Sequence, residues 1–530
     1  MFYIKKVAIL IAVLVAVVFF TSQTPPANNL NGFFADPGSF EILSSYKGRN
    51  NVLKVNKSKT QWNIARYSLA QYRGKEILIE FSADVRCEGS VVSLAWQVNN
   101  PNYPTISMFG DAPLDKWHAM KGKMIITPTQ NDAMIYLTNY QMSSNAIIYI
   151  ANPIITITED NPLTPDLSLR PLKEIYANDF LIGTITNYDG LYMSGKYFDL
   201  LKHHYNIVTF NAVYPHMVTP SIKGGVYQFA NADNILNIAV RNNLYVYGQN
   251  LVYPGEEPAW MTEGTREEVI QNLNNHITTV VRQFSGRINI WEVVNEALKP
   301  NITNAEARGD WKRCLATTQN TSWRNHRWYD RLGADYIELA FRAARAADSN
   351  VTLYYNDFDL LALNKAEVVI KMIKDINDRY KRETGGARNL IEGLGVQVHI
   401  GSSQLSQDLN FNFNNARTAL QRLTSLGIEI GITEVDISTS GYVRGEGRDS
   451  VMSDRNALNQ ALLYARLFSL FKEFSAHIKF VTFWGIDDGN SWLSEGNPLL
   501  FDWRLNAKPA FYAVSDPDGF LKQHGVSTRR

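Results

Sequence analysis

Two hydrophobic periods divide the chain. From about residue 30 to 159, short runs such as EILIEFSADV, SVVSLAWQV, DAMIYLTNY and AIIYIANPIITIT alternate apolar and polar positions between Gly, Asn and Pro turns. A period of two over many short segments predicts an antiparallel β-sandwich of jelly-roll type. The stretch EDNPLTPDLSLRP, with its three prolines, leads into a linker placed at 160–174. From 175 to 525 the period changes. Short β-branched runs (FLIGTIT, NIVTFN, LYVYGQNL, INIWEVVNEA, VTLYYND, IEGLGVQVHI, IEIGITEVDI, IKFVTFWGI) alternate with amphipathic stretches such as ADYIELAFRAARAAD and KAEVVIKMIKDINDRYKR. About eight such repeats predict a (β/α)8 TIM barrel. The expected fold class is therefore α/β, a barrel preceded by a β-sandwich.

Residues 1–29 belong to neither period. Lys5 and Lys6 precede an apolar run from Val7 to Phe20, too short for a comfortable membrane span and suited to the apolar core of an export signal. No small-residue cleavage site follows, so a signal peptide and an uncleaved N-terminal anchor both stand, and either predicts a secreted or cell-surface protein. The 52 Lys and Arg balance 51 Asp and Glu, which leaves no global field to draw in nucleic acid or anionic lipid. Cys87 and Cys314 fall in different predicted domains with no Cys/His cluster beside them, so two free thiols and no zinc site are expected. A monomer is expected. Aromatic residues make up 12% of the chain; they build cores, and their flat faces also stack on sugars.

The candidate chemistry lies where apolar runs turn polar. WEVVNEAL ends its apolar stretch at Asn295 and Glu296, and the seventh run repeats the anomaly with Glu434 and Asp436. A strand entering a loop explains one such ending. Two of them at strand ends of one barrel place two carboxylates at the face where barrel active sites form, the arrangement that glycoside cleavage requires. Other strand ends add Asn356 and Asp357, Gln397 and His399, and Trp484 followed by Asp487, Asp488 and Trp492. Singly, each has an ordinary account as a core histidine, a core tryptophan, a turn or a helix cap. Their coincidence at one face carries the argument.

WEVVNEA, GVQVHI, ITEVDI and FWGIDDGNSW together resemble glycoside hydrolase family 10, the retaining endo-β-1,4-xylanases, over roughly residues 175 to 520. The resemblance implies Glu296 as acid/base and Glu434 as nucleophile, with carboxyl oxygens about 5 to 5.5 Å apart. It also implies Asn295 on the sugar 2-hydroxyl, Gln397 and His399 beside the nucleophile, Asp436 orienting His399, Asn356 in support, and Trp484 and Trp492 as walls of the sugar subsites. A polysaccharide is the implied partner, and neither metal nor cofactor is needed.

Two motifs depart from the family. FNAVYPHMVTP replaces a stretch like TAENxMKP, and GQNLVYPGEEPAW puts Gln249 and Tyr253 where GHTLVWH has His and Trp. An altered pocket on the non-reducing side follows, with Tyr214, His216, Gln249 and Tyr253 available to refill it. Two alternatives therefore stand beside a xylanase: a glycan-binding protein without catalysis, and a glycosidase with another β-linked substrate. The long loop after Glu296 carries Trp311, Trp323 and Trp328 among basic residues, as an added aromatic wall or a small cluster of its own; its charges would suit an acidic branch. The N-terminal region, through TQWNIARYSLAQYRGKEILIEFSADVR, resembles carbohydrate-binding modules of families 4, 9 and 22. Trp62, Trp96, Tyr103, Tyr136 and Tyr140 are its candidate stacking residues, and Trp117 is expected in its core.

Overall fold

The computed structural model describes residues 29–526 apart from 31–32, 35–39, 57–62, 73–74, 76, 89–91, 99–104, 113–115, 127–133, 140–146, 160–162, 322–323, 402–411 and 440–453. The N-terminal apolar run and Trp62, Tyr103, Tyr140 and Trp323 lie outside the described residues, as do the side chains of Trp96 and Tyr136.

The N-terminal part folds into two antiparallel sheets. One runs in the order Asn29–Leu30, Phe33–Phe34, Asn63–Ser68, Met134–Asn139, Val92–Val98, Thr105–Ala112. The other runs Phe40–Tyr46, Arg49–Asn56, Ile147–Thr158, Ile77–Glu88, His118–Ile126. Strand Ile77–Glu88 shows why the chain folds this way. Ile77, Ile79, Phe81, Ala83, Val85 and Cys87 fall on one face and are buried together with Leu53, Ile135 and Ile148, as the period of two requires. Trp117 is half-buried at the edge of a smaller cluster of Val52, Tyr149 and Ala151, and its indole N–H donates to the Lys47 carbonyl at 2.9 Å. Cys87 and Cys314 are both buried and are not joined in a disulfide.

Eight parallel strands then close a barrel: Leu181–Ile185, Ile207–Phe210, Tyr245–Gly248, Ile290–Asn295, Thr352–Asp357, Gly393–Ile400, Glu429–Ile437 and Ile478–Phe483. Between them run helices that bury one stripe each. Asp335–Ala347 turns Tyr336, Ile337, Ala340, Phe341 and Ala344 inward, the spacing of one helical face. Arg266–Gln283 starts on a reciprocal cap between Thr265 and Glu268. Inside the barrel, Ile207, Tyr247, Tyr354 and Phe480 pack as one cluster. Their rings need room: a Cβ on Gly393 would come within 2.1 Å of the Tyr354 ring, and one on Gly431 within 2.4 Å of Phe480. Glycine at these strand positions is what admits aromatic filling. No helix among the described residues is long and apolar enough to cross a membrane.

The segment ahead of the first barrel strand belongs to the barrel physically. Leu163, Leu172 and Tyr176 are buried in the barrel's core cluster, which Leu78 of the sandwich also joins. Thr164 is tied to the loop after the eighth strand by its N–H to the Arg504 carbonyl at 2.9 Å and its hydroxyl to Asn506 at 3.0 Å.

Candidate active site

The fourth and seventh strands each carry an extra residue relative to a neighbour, the register slipping between Glu292 and Val294 on one and between Ile432 and Val435 on the other. Such bulges re-aim side chains and gather near active sites. On the seventh strand the consecutive residues Thr433 and Glu434 both reach Asn356: the Thr433 hydroxyl donates to Asn356 Oδ1 at 2.7 Å, and Asn356 Nδ2 donates to Glu434 Oε1 at 2.9 Å.

Glu296 follows the fourth strand with φ of +51°, a left-handed conformation that costs a non-glycine residue about 1–2 kcal/mol. Neighbouring groups hold it there. The Glu296 N–H donates to the Asn356 carbonyl at 2.9 Å, Ala297 N–H to the Tyr355 hydroxyl at 3.1 Å, and Leu298 N–H to Asp357 Oδ2 at 3.1 Å. Asp357, fully buried, is neutralised by Lys365 at 2.8 Å. The residue after the strand is thus fixed by a buried ion pair on the next strand and its helix.

Glu296 Oε1 accepts from the Tyr253 hydroxyl and from Gln397 Nε2, both at 3.1 Å, and Oε2 lies 3.4 Å from Arg324 Nη1. Burial, then the charges of Glu434 and Asp357, push its carboxyl up to about 8 against the partial relief of Gln397 and Lys365. Glu434 is 4% exposed and is surrounded by donors: Gln249 Nε2 at 2.9 Å and Asn356 Nδ2 at 2.9 Å on Oε1, and His399 Nε2 at 3.2 Å on Oε2. Asn295 joins the two carboxylates, its Oδ1 accepting from Asn356 and from Gln397 at 3.1 Å each. The far side of His399 meets Asp436, with Nδ1 2.9 Å from Oδ1. Burial alone would lower the imidazole, but Asp436 and Glu434 raise it well above its ordinary value, so the ring is held as a cation. Asp436 in turn accepts from the Trp492 indole at 2.7 Å. Trp492, 36% exposed, and half-buried Trp484 stand edge-on to His399 with centroids 5.2 and 6.5 Å away.

Glu296, Glu434, Asn295, Asn356, Gln397, His399, Asp436, Gln249, Tyr253, Trp484 and Trp492 are therefore brought together. Of the four refill candidates, Gln249 and Tyr253 bind the carboxylates directly, Tyr214 donates to Gln249 at 3.3 Å, and His216 pairs with Glu256 instead. Asp488 is a buried partner of Lys508 at 2.8 Å, and Asp487 caps a short turn at Asn490. Of the two readings of the long loop, an aromatic wall and a packed cluster, two of its tryptophans follow the packed one, joined to the barrel's core. Trp311 is 5% exposed with its indole on Asp375 at 3.0 Å, and Trp328 is 2% exposed in the barrel's core cluster; large rings at these positions gain more from burial than from lining a cleft.

Three groups escaped the sequence reading. Arg324 arrives from a loop with no periodicity to place it. Glu292 lies inside the barrel wall, fully buried, with Tyr247 donating to it at 2.7 Å; burial and Glu434 push its carboxyl well above the usual range. Lys365 is a buried lysine on a helix whose pattern marks it as surface. Only the polar residue inside an apolar run, Glu292 in IWEVV, left a visible signal.

One carboxyl held protonated and a second wrapped in donors is the working arrangement of barrel glycoside hydrolases. The chain belongs to glycosyl hydrolase family 10, whose sequence pattern matches residues 171–517. A β-1,4-xylanase of Dictyoglomus thermophilum is 32% identical over 66% of this chain and 91% of its own length. An exoglucanase of Acetivibrio thermocellus is 30% identical over 79% of this chain, and an endo-1,4-β-xylanase of Thermoanaerobacterium saccharolyticum 30% identical over 78%. The chain spans about a third of the length of these last two, 37% and 34%. Among solved structures, a termite-gut family 10 xylanase containing a bacterial Ig-like domain aligns with TM-score 0.59 and 29% identity over 76% of this chain and 92% of its own.

Proposed function

We propose that this protein is a retaining endo-β-1,4-xylanase acting on xylan or a related hemicellulose. The observation that carries the reading is the split between the two carboxyls: Glu296 pushed up to about 8 by burial and its acidic neighbours, Glu434 facing three donors. In the first step the Glu434 carboxylate attacks the anomeric carbon, the glycosidic C–O bond breaks, and its electron pair takes the proton of Glu296. In the second, water gives a proton to Glu296 and attacks the same carbon, and the ester bond to Glu434 breaks. His399, held cationic by Asp436, steadies the nucleophile. Because Asn295 Oδ1 is occupied by Asn356 and Gln397, its amide nitrogen is the group for the sugar 2-hydroxyl, and Trp484 and Trp492 supply apolar walls.

A second reading, another β-1,4-linked glycan, is favoured by Gln249 and Tyr253. Both are spent on the carboxylates, so the pocket on the non-reducing side keeps fewer polar groups than the family's motif would give it. The N-terminal sandwich supports binding to the same polymer, and the apolar run after Lys5 and Lys6 supports export. Reducing-sugar release from glucuronoxylan, arabinoxylan, β-glucan and cellulose, beside a Glu434→Ala variant, tests these readings. Release from xylan that vanishes in the variant is expected. Release from β-glucan or cellulose alone would favour the second reading, and binding without release from any polymer would overturn both for a glycan-binding protein.

A further inference from the structure

Oε1 of Glu296 already accepts two hydrogen bonds, from Tyr253 and Gln397. The proton that an acid gives up therefore sits on Oε2, and this is the oxygen that Arg324 approaches at 3.4 Å. Arg324 comes from the long loop between the fourth strand and helix Asp335–Ala347. Its guanidinium lies 3.8 Å over the Tyr253 ring, so one tyrosine positions both the cation, by stacking, and the carboxyl, by its hydroxyl. We propose that Arg324 is a positioning residue that keeps Glu296 ionised during the second half of a double displacement, making it a ready base for water. This rests on the retaining reading above.

The charges around Glu296 explain why such a residue is needed. Asp357 on the fifth strand and Glu434 on the seventh oppose its ionisation, Glu292 on its own strand has its own carboxyl raised by burial and by Glu434, and Tyr253 from the third-strand loop brings a hydroxyl. Lys365, bound to Asp357, relieves Glu296 only from farther away, and His399 is engaged with Glu434 and Asp436. Among the described residues, Arg324 is the cation within 4.0 Å of Glu296. In the free enzyme its pull is countered by the Glu434 carboxylate, which favours the proton the first step needs. Once Glu434 is esterified its charge is gone, and the pull of Arg324 stands with less opposition. Glu296, having given its proton to the departing sugar as the ester formed, stays ionised to receive the next one from water. Arg324 is only 26% exposed, so solvent screens this effect incompletely.

An aryl β-xylobioside with a dinitrophenolate leaving group isolates the second half, because that group departs without a proton. For Arg324→Met, kcat on this substrate is expected to fall about tenfold, and the acidic limb of its pH profile to move up by about one pH unit. On a xylo-oligosaccharide, which needs the acid, the alkaline limb is expected to move up by a similar amount. Arg324→Lys should restore most of both, and Arg324→Gln serves as a second truncation if the Met variant loses its wild-type circular dichroism. Unmoved limbs in both truncations, or a Lys variant no better than Met, would overturn the proposal while leaving the xylanase reading intact. Wild-type enzyme that turns over neither substrate would overturn both.

Discussion

Replacing Glu296 by Gln should make the protein more stable, and increasingly so as the pH rises. Glutamine copies the neutral carboxyl in shape and cannot ionise. The wild-type side chain titrates near 8 in the fold, against 4.5 for an unperturbed glutamate. Because the folded value is the higher one, the folded protein holds a proton that the unfolded chain has given up, and stability falls as the pH climbs from about 4.5 to about 8. A separation of about 3.5 pH units corresponds to at most about 5 kcal/mol; solvent reaching a side chain that keeps 15% of its surface exposed reduces this to an expected value on the order of 3 kcal/mol. In a chain of this size that is a gap in Tm of roughly 3 °C. The assay is thermal unfolding of both proteins from pH 4 to pH 9. Every other titrating group is common to the pair, so the difference between the curves isolates position 296. The gap should be small at pH 4, widen through the neutral range and level off above about pH 8. A constant gap across the range, or a wild type more stable than the variant at pH 9, would refute the account of Glu296 as an acid kept neutral by burial and its neighbours.

Two further substitutions probe the shell around the carboxylates. Lys365→Met leaves buried Asp357 without its counter-ion and is expected to cost about 3–5 kcal/mol of stability, read as a lowered denaturation midpoint; a loss under 1 kcal/mol would show that the pair does not hold the turn at Glu296. Gln249→Ala removes one of three donors to Glu434, a bond to a charged acceptor worth about 1.5–3 kcal/mol, so kcat on xylan should drop at least tenfold, and a change within twofold would deny Gln249 a part in steadying the nucleophile.

Much of the architecture was legible because burial imposes periods on sequence. Each of the eight apolar runs coincides with a barrel strand, and EILIEFSADV with the long sandwich strand that buries every second residue. Glu296 and Glu434 were visible because two carboxylates close apolar strands at one face of one barrel, where a strand entering a loop accounts for only one of them. What stayed hidden depends on distances that no period encodes. The bulges in the fourth and seventh strands shift the count of inward positions, so a strict alternation does not show Thr433 and Glu434 meeting the same asparagine. The reach of Arg324 to Glu296 is fixed by how a long loop folds back. Trp311 and Trp328, open in the sequence to either a sugar platform or a packed cluster, are consumed by packing, and nothing in their neighbours' identities distinguishes the two fates.

The short stretch from Leu163 to Tyr176 changes where the catalytic unit can be cut. Read as a linker, it invites a truncation at about 175. Yet Leu163 and Leu172 fill the barrel's core, Thr164 is laced to the loop after the eighth strand, and the Tyr176 hydroxyl donates to the Val514 carbonyl at 2.6 Å near the other end of the barrel's sequence. The stretch works as a clasp that closes the barrel between its first and last segments. A recombinant barrel begun after it would carry an open apolar seam, and one begun ahead of Leu163 would bring its own fastening.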